Sequence, residues 1–288
     1  MLGWISPEDI GAALFAGKSS IYAFGFAAFA LIELSVGRHG SPPASVQSRG
    51  VVNFGLPLLN VPVAMVAATV LGQSDLLKTW FDYRLFELIA LPWGGVLVLA
   101  LIARTLIAYL LHRLNHAIPL LWRLHRIHHS DPTFDLSLSF RHHPLEVAFD
   151  MTVYFVVQLW LGIPLWAVGI VEALLILFSM VEHLDLVLPQ RVDATIRRFI
   201  VTPSVHRMHH SAERSQTDSN FGAVFTFWDR LFGTYRDPDR EAIIAIGLAD
   251  VAPASAASIT EQLILPFRSV RAAAPAADPT CSMRESPP

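Results

Sequence analysis

Histidine is the residue type whose spacing in this sequence points most directly to chemistry. Eleven of the twelve histidines lie between residues 112 and 210. Eight of them form three blocks, which are His112 and His116, then His125, His128 and His129, and finally His206, His209 and His210. Residues three and four apart share one face of an α-helix. Each block is therefore predicted to present its imidazoles together, and three blocks in contact would form a nitrogen-rich metal site.

The number of histidines favours two metal ions over one. Imidazole suits iron, zinc, copper and nickel, and a single zinc ion takes about four ligands. Cys281 is the one cysteine, so a multi-thiolate site is excluded. Two adjacent irons would reduce oxygen. A metal-dependent membrane hydrolase is an alternative, although hydrolytic zinc pairs usually include carboxylates, which the blocks lack.

The composition indicates which elements must position these histidines. The chain of 288 residues is 53% hydrophobic and 16% charged, against about 25% charged residues in soluble domains. Its net charge of −3 gives no electrostatic case for binding nucleic acid. We therefore expect an integral membrane protein without a nucleic-acid partner.

Five apolar runs are long enough to enter a bilayer. They cover residues 19–36, 51–72, 88–111, 147–163 and 164–182. The last two are short and are separated by Gly162-Ile163-Pro164, so they are predicted to be either two thin spans or a re-entrant hairpin. The predicted fold is an all-α integral membrane protein with four to five membrane helices.

The basic residues predict the orientation of this multi-pass fold. Arginines are frequent between the third and fourth runs and after the fifth run, and such loops tend to be cytoplasmic. The histidines would then lie in a helical cap with its site facing the cytosol. A membrane metal-binding or transport protein is a further alternative, but it would need ligands deep within the spans, whereas these blocks follow span ends.

Composition divides the chain into three parts. Residues 1–87 are predicted to form N-terminal membrane helices and loops, and residues 88–240 the histidine-bearing catalytic domain. Residues 241–288 are rich in Ala and Pro, and this tail is predicted to be largely disordered.

Shorter motifs accompany the histidine blocks. Arg141-His142-His143-Pro144-Leu145-Glu146 follows the second block, and Glu182-His183-Leu184-Asp185 follows the apolar hairpin. Asp218-Ser219-Asn220-Phe221-Gly222 and the stretch from Trp228 to Tyr235 follow the third block. Over roughly residues 90–237, this set resembles the sterol desaturase/fatty acid hydroxylase superfamily, which are histidine-rich membrane oxygenases.

The resemblance implies an O2-dependent oxidoreductase with two iron ions that hydroxylates or desaturates a lipid C–H bond. It implies as metal ligands His112, His116, His125, His128, His129, His183, His206, His209 and His210. His143 is a further candidate near the metals, whereas His142 is expected to be structural. Asp185, Asp218 and Asn220 are candidates for hydrogen bonds to the ligand imidazoles on the side away from the metals.

Two departures from the family's pattern concern Thr105, where an acidic residue is common, and Asp185, where an asparagine is usual. Arg104, beside Thr105 in the third run, is predicted to pair with Glu172 or Asp150, because a charge within lipid needs a partner.

The expected partners follow from what the chain contains. No segment resembles a haem, flavin or iron–sulfur module, so the electrons are expected to come from a separate electron-donor protein. The substrate is expected to be a lipid from the bilayer. The sequence does not distinguish among sterols, acyl chains, ether lipids, aminolipids and carotenoids.

Overall fold

A computed structural model of the protein describes residues 6–36, 46–72, 85–238 and 245–268. Within these ranges the regular structure is helical, and the only β pairing is two isolated antiparallel bridges, Ile200–Phe225 and Ser211–Ile246. The predicted all-α class is confirmed for this part of the chain.

The N-terminal part contains three helices. These are α1 (Pro7–Ala16), α2 (Lys18–Val36) and α3 (Val46–Gly72). The runs predicted at 19–36 and 51–72 fall within α2 and α3. Large apolar side chains such as Phe24, Leu31 and Leu58 are mostly exposed on these helices, as expected for surfaces that face lipid.

Three of the described helices are long and apolar enough to cross a membrane. They are α5 (Trp93–Ala117), α7 (Pro144–Leu161) and α8 (Leu165–Glu182), while Ser20–Val36 in α2 forms a shorter apolar helix. A short helix, α4 (Leu85–Leu88), precedes α5. The predicted turn between α7 and α8 is present. Gly162 ends α7 in the left-handed conformation with φ 70°, which glycine adopts without strain. The total of four to five crossings stays a prediction.

Short helices form the cap that carries most of the histidines. They are α6 (Pro119–His129), a 3-10 helix (Leu136–Phe140), α9 (Gln190–Ile196), α10 (Pro203–His209), α11 (Arg214–Thr217) and α12 (Phe227–Phe232). Proline occupies the first turn of α6, α7 and α10, where its missing N–H leaves no intrahelical hydrogen bond unmade. These prolines therefore set where the histidine-bearing helices α6 and α10, and the long apolar helix α7, begin.

The C-terminal segment differs from the disorder expected for it. Residues 245–268 include α13 (Pro253–Ala256), α14 (Ile259–Ile264) and a 3-10 helix (Leu265–Phe267). Leu265 packs in one cluster with Leu56 of α3 and Ile127 of α6. The segment is ordered because its scattered apolar residues cover the back of α6, a contact that composition does not reveal. Residues 241–244 and 269–288 of the predicted tail lie outside the described residues.

Candidate metal centre

Four separate segments bring the nine predicted ligands together. α5 ends with His112 and His116 one helical turn apart, and α6 ends with the second block. His183 caps the C-terminal end of α8. The third block lies on α10 and at its C-terminal cap. All nine predicted histidines are therefore in one region of the molecule.

The nine rings form two groups. In each group the candidate ligand atoms lie within 4.8 Å of one another. The first group is His112, His116, His125, His129 and His209, and the second group is His128, His183, His206 and His210. The groups adjoin, since the ring centroids of His129 and His210 are 4.5 Å apart. The convergence matches the prediction, while the ligand role of these residues stays a prediction.

Backbone carbonyls fix the orientation of three rings. The Nδ1 atoms of His112, His183 and His209 lie 3.0, 2.7 and 2.7 Å from the carbonyl oxygens of Phe221, Ser179 and Ser219. A carbonyl only accepts hydrogen bonds, so each Nδ1 carries the proton in these contacts. Each Nε2 is consequently left with a free lone pair, which is the state that binds a metal.

Carboxylates orient two further rings of the first group. Glu146 Oε1 lies 2.7 Å from His125 Nδ1, and Asp218 Oδ1 lies 3.2 Å from His116 Nδ1. Such carboxylate contacts raise the basicity of a ligating imidazole and fix its tautomer. The expectation that Asp218 supports a ligand agrees with this geometry. Glu146 belongs to a motif noted in the sequence, but it was not among the predicted site residues.

The ring nitrogens that face the centre have no ordinary hydrogen-bond partners. Within the described residues, the buried Nε2 atoms of His112, His116 and His209 have none. In the second group His183 Nε2 lies 3.2 Å from His128 Nε2 and 3.0 Å from His206 Nε2. Several lone pairs directed at one point would repel without a cation between them. This all-nitrogen donor set therefore fits transition-metal ions such as iron.

Burial keeps these rings neutral. Burial lowers the pKa of His183 to about 4, and it lowers that of His209 to about 3 despite the opposing hydrogen bond to Ser219. Burial, followed by the charge of neighbouring imidazoles, lowers the pKa well below the usual range in His128, His129, His206 and His210. These six imidazoles are thus unprotonated at neutral pH, as ligands must be.

The segment from 216 to 235 supports the first group through its main chain, a contribution that the sequence did not reveal. Its carbonyls at Ser219 and Phe221 orient two ligand candidates, as described above. Asp229, fully buried, accepts hydrogen bonds from the backbone N–H groups of Phe221 and Gly222 at 2.7 and 2.9 Å. Asp229 therefore holds the turn that orients His112.

Asp185 and Asn220 do not support the rings in the way that Asp218 does. Asp185 Oδ1 accepts a hydrogen bond of 2.6 Å from Arg207 on α10, so it positions the helix rather than a ring. Asn220 adopts a positive φ of 57° and exchanges two hydrogen bonds with the backbone of Arg236. It is therefore a turn residue, as asparagine often is in this conformation.

His142 and His143 are placed in the reverse of the expected way. His143 caps α7 by accepting a hydrogen bond from Leu145 N at 3.1 Å and belongs to neither group. The ring of His142 instead stacks on that of His128 with centroids 4.7 Å apart. Burial lowers the pKa of His142, but the carboxylate of Glu146 outweighs it, so the net pKa is raised. These two adjacent side chains point in different directions because the backbone of this segment is irregular. The motif alone does not show which of them lies beside the ligand candidates.

Arg104 and Thr105, adjacent residues in the middle of α5, both bond to other helices. Arg104 Nε donates to Glu172 Oε1 at 2.5 Å, one of the two pairings predicted. Thr105 Oγ1 accepts a hydrogen bond of 3.2 Å from Trp228 Nε1. Thr105 therefore attaches α5 to the cap. In this chain the position supplies no carboxylate to the two histidine groups.

A cavity of about 320 Å³ adjoins both groups. Histidines of each group line it, including His112 and His183, and so do polar residues of the spans, including Arg104, Asp150 and Glu172. Arg104 and His112 are eight residues apart on α5, which corresponds to about 12 Å along the helix. The cavity therefore extends from the metal groups into the membrane-spanning part of the protein.

Comparison with known proteins agrees with this geometry. The family model described as fatty acid hydroxylase matches residues 97–234, a range that includes all nine histidines of the two groups. The chain is 27% identical to human alkylglycerol monooxygenase over 58% of its length and 36% of that protein. It is 29% identical to alkylglycerol monooxygenase of Xenopus tropicalis over 67% of its length and 43% of that protein.

A bacterial relative adds a second substrate type. The chain is 27% identical to ornithine lipid hydroxylase OlsE of Rhizobium tropici over 54% of its length and 46% of that protein. In each of these matches, less than half of the relative's length is covered. No solved structure gives a significant match.

Proposed function

We propose that the chain is a membrane monooxygenase acting on a lipid and a member of the fatty acid hydroxylase family, whose model matches residues 97–234. The observation that carries the proposal is the pair of adjacent all-histidine groups beside a cavity within the spans. The relatives that bear the names alkylglycerol monooxygenase and ornithine lipid hydroxylase support lipid hydroxylation over desaturation.

Each group would hold one iron ion. The first group offers five imidazoles and the second offers four, which is enough to bind two transition-metal ions. Bound iron would supply the one-electron chemistry with O2 that an unactivated C–H bond requires. The histidines are not deep in the spans but at helix ends and in the cap, which favours an enzyme over a transporter of metal ions.

The chain's own residues would position the substrate and exclude water. Leu111, Leu175 and Ile176 line the cavity beside the histidines and give it an apolar wall against which an alkyl chain can pack. Glu146 and the carbonyls of Ser219 and Phe221 hold the rings in place throughout turnover. Preorganised groups need no rearrangement when the reaction occurs.

Two partners follow from the reaction. Insertion of one oxygen atom from O2 into a C–H bond, with the second released as water, consumes two electrons and two protons. The described residues contain no cysteine, so they offer no thiolates that could hold an iron–sulfur cluster. The electrons would therefore come from a separate donor protein in the cytosol, and the lipid would enter from the bilayer between the helices.

Metal content and product mass test the proposal. Protein purified from cells should carry about two irons per chain, and with reductant, a donor protein and 18O2 it should yield a lipid heavier by one labelled oxygen. A product lighter by two hydrogens would show desaturation instead. Tightly held zinc without oxygen uptake would support the hydrolase alternative and overturn the proposal.

A matched pair of histidine variants tests the ligand assignment. His183→Ala removes one of four rings in the second group and should lower the iron content by about half, together with the loss of activity. His143→Asn retains a side chain able to cap α7 and should keep both irons, because His143 belongs to neither group. Equal iron loss in the two variants would contradict the assignment.

A further inference from the structure

The cavity beside the metal groups has an unusually polar lining for a site within membrane-spanning helices. Five acidic or basic residues other than histidine line it, namely Arg104, Glu146, Asp150, Glu172 and Glu182. Charged groups in a membrane protein are stable only where protein or water surrounds them. An entirely apolar substrate would leave these groups facing hydrocarbon, which is unfavourable for each unsatisfied group.

Part of this polar lining is already paired within the protein. Glu146 accepts from His125 and His142, and Arg104 pairs with Glu172 while its guanidinium lies 3.5 Å from the ring centroid of Tyr154. These contacts stabilise the charged residues of α5, α7 and α8 when no ligand is bound.

Besides histidine nitrogens, four buried side-chain atoms of the lining have no hydrogen-bond partner in the described part of the chain. They are Glu146 Oε2, Asp150 Oδ1, Glu182 Oε2 and Arg104 Nη1. The three carboxyl oxygens require donors, whereas the guanidinium nitrogen requires an acceptor. Buried polar atoms in proteins are otherwise nearly always satisfied. A hydroxyl group, which both donates and accepts, is complementary to this set, and an ammonium group satisfies the carboxyl oxygens.

We infer that the cavity binds the headgroup of a lipid through hydroxyl or ammonium donors directed at Asp150, and that it excludes phosphate headgroups. A phosphate offers mainly acceptors, and here it would meet three unpaired carboxyl oxygens and only one unpaired guanidinium nitrogen, Arg104 Nη1. This inference rests on the proposed function and adds the chemical class of the substrate to it.

The place of Asp150 on α7 predicts the position of oxidation. Asp150 lies one helical turn, about 6 Å, beyond Glu146, whose carboxylate is 2.7 Å from His125 Nδ1. A headgroup bound at Asp150 would therefore bring one of the first few carbons after the headgroup beside the histidines, and not one near the terminal methyl.

Binding to the full protein with its metal, kept under nitrogen without reductant, tests the headgroup class. The probes share one C16 chain and are 1-O-hexadecylglycerol, hexadecylamine and hexadecyl phosphate. The glycerol ether or the amine should bind at least tenfold more tightly than the phosphate, and which of the two binds better identifies the donor. Equal or tighter binding of the phosphate would overturn the inference, and this comparison requires no variant.

Variants of matched chemistry test the assigned residue. Asp150→Asn replaces the carboxylate with an amide. It should weaken binding of the preferred probe by about tenfold, the typical effect of losing a hydrogen bond to a charged acceptor. Glu8→Gln, an exposed change on α1, should leave binding unaltered. Identical affinities for the two variants would assign the headgroup to other residues and refute the role of Asp150.

Fragmentation of the oxidised product tests the predicted position and separates the two proposals. Oxygen within the first few carbons after the headgroup supports the inference, and oxygen near the methyl end overturns it while leaving the hydroxylase proposal intact. Conversely, a protein that binds the glycerol ether through Asp150 but takes up no O2 would refute the hydroxylase proposal alone.

Discussion

Each histidine of the centre uses its two nitrogens differently. In His112, His183 and His209 the Nδ1 atom donates to a backbone carbonyl, and the Nε2 atom faces the neighbouring rings. The sequence predicted which residues converge, because spacing of three and four defines a helix face. It did not predict the acceptors, because Phe221 and Ser179 act through their main chain, and any residue type supplies a carbonyl.

Glu146→Gln should weaken metal binding in the first group. The substitution keeps the size of the side chain but removes the carboxylate that lies 2.7 Å from His125 Nδ1. Loss of such a partner typically lowers metal affinity by about 10–100-fold. Competition with a chelator measures the effect, and the exposed substitution Glu213→Gln is the control. If both variants release iron at the same chelator concentration, Glu146 does not tune the site.

The metal-free protein should lose stability as the pH falls below about 6.5. The folded-state pKa values of His183 and His209, about 4 and about 3, lie below the value of about 6.5 expected in the unfolded chain. Between these values the unfolded chain binds more protons, so the free energy of unfolding falls with decreasing pH by about 1.4 kcal/mol per pH unit for each such histidine.

Thermal unfolding in detergent at pH 7, 6 and 5 measures this effect. The melting temperature should be highest at pH 7 and should fall towards pH 5. His183→Gln removes one titrating ring and should reduce the slope. A melting temperature that rises towards pH 5 would contradict the burial of neutral imidazoles.

At the scale of elements, α6 and α10 each contribute histidines to both groups. α6 contributes His125 and His129 to the first group and His128 to the second, whereas α10 contributes His209 to the first group and His206 to the second. Residues four apart on a helix differ by about 40° and residues three apart by about 60° in the opposite direction. The repeated spacing therefore serves two adjacent groups, a division that the sequence did not reveal because it depends on how α6 and α10 face each other.

The crossing of α1 and α8 requires glycine at close approach. A Cβ atom at Gly169 would lie 2.1 Å from the carbonyl oxygen of Gly11, so the backbones must separate in a Gly169→Ala variant. Overpacking of this kind typically lowers stability by about 1–3 kcal/mol. Gly94→Ala in α5, where a Cβ would meet nothing within 4 Å, should not destabilise the protein. Melting temperatures of the two variants test the contact, and a Gly169→Ala protein as stable as the control would disprove it.

At the scale of the whole molecule, the C-terminal segment is part of the structure behind the metal groups. Leu265→Ala should leave a cavity against Ile127 and Leu56, because Leu265 is buried in that cluster. Such substitutions typically cost about 2–5 kcal/mol. Leu231→Ala, at a position 67% exposed, is the control. Since Ile127 lies between two ligand candidates on α6, iron content should fall along with the melting temperature. A Leu265→Ala protein with unaltered iron content and stability would show that the segment is dispensable.

Much of the architecture was predictable from the sequence, because long apolar runs and helix-starting prolines are local signals. The turn at Gly162 was predicted for this reason. Arg104 was predicted to pair with Glu172 or Asp150 because a charge within lipid needs a partner, and the structure shows Glu172. The order in residues 245–268 was not, because a few apolar side chains decide it through contacts with α3 and α6, which are distant in sequence. The roles of Glu146 and Asp229 were likewise determined by tertiary contacts alone.

The use of main-chain acceptors has a consequence for how this protein tolerates mutation. A carbonyl survives replacement of its own side chain, so Ser179, Ser219 and Phe221 can change identity without deleting the contacts that orient His183, His209 and His112. The rings that rely on a carboxylate, His116 and His125, lack this tolerance. Directed evolution could vary Ser179 and Ser219 to reshape the protein around its reactive centre, whereas Asn220 must keep its positive φ and the Phe221 ring packs on His112.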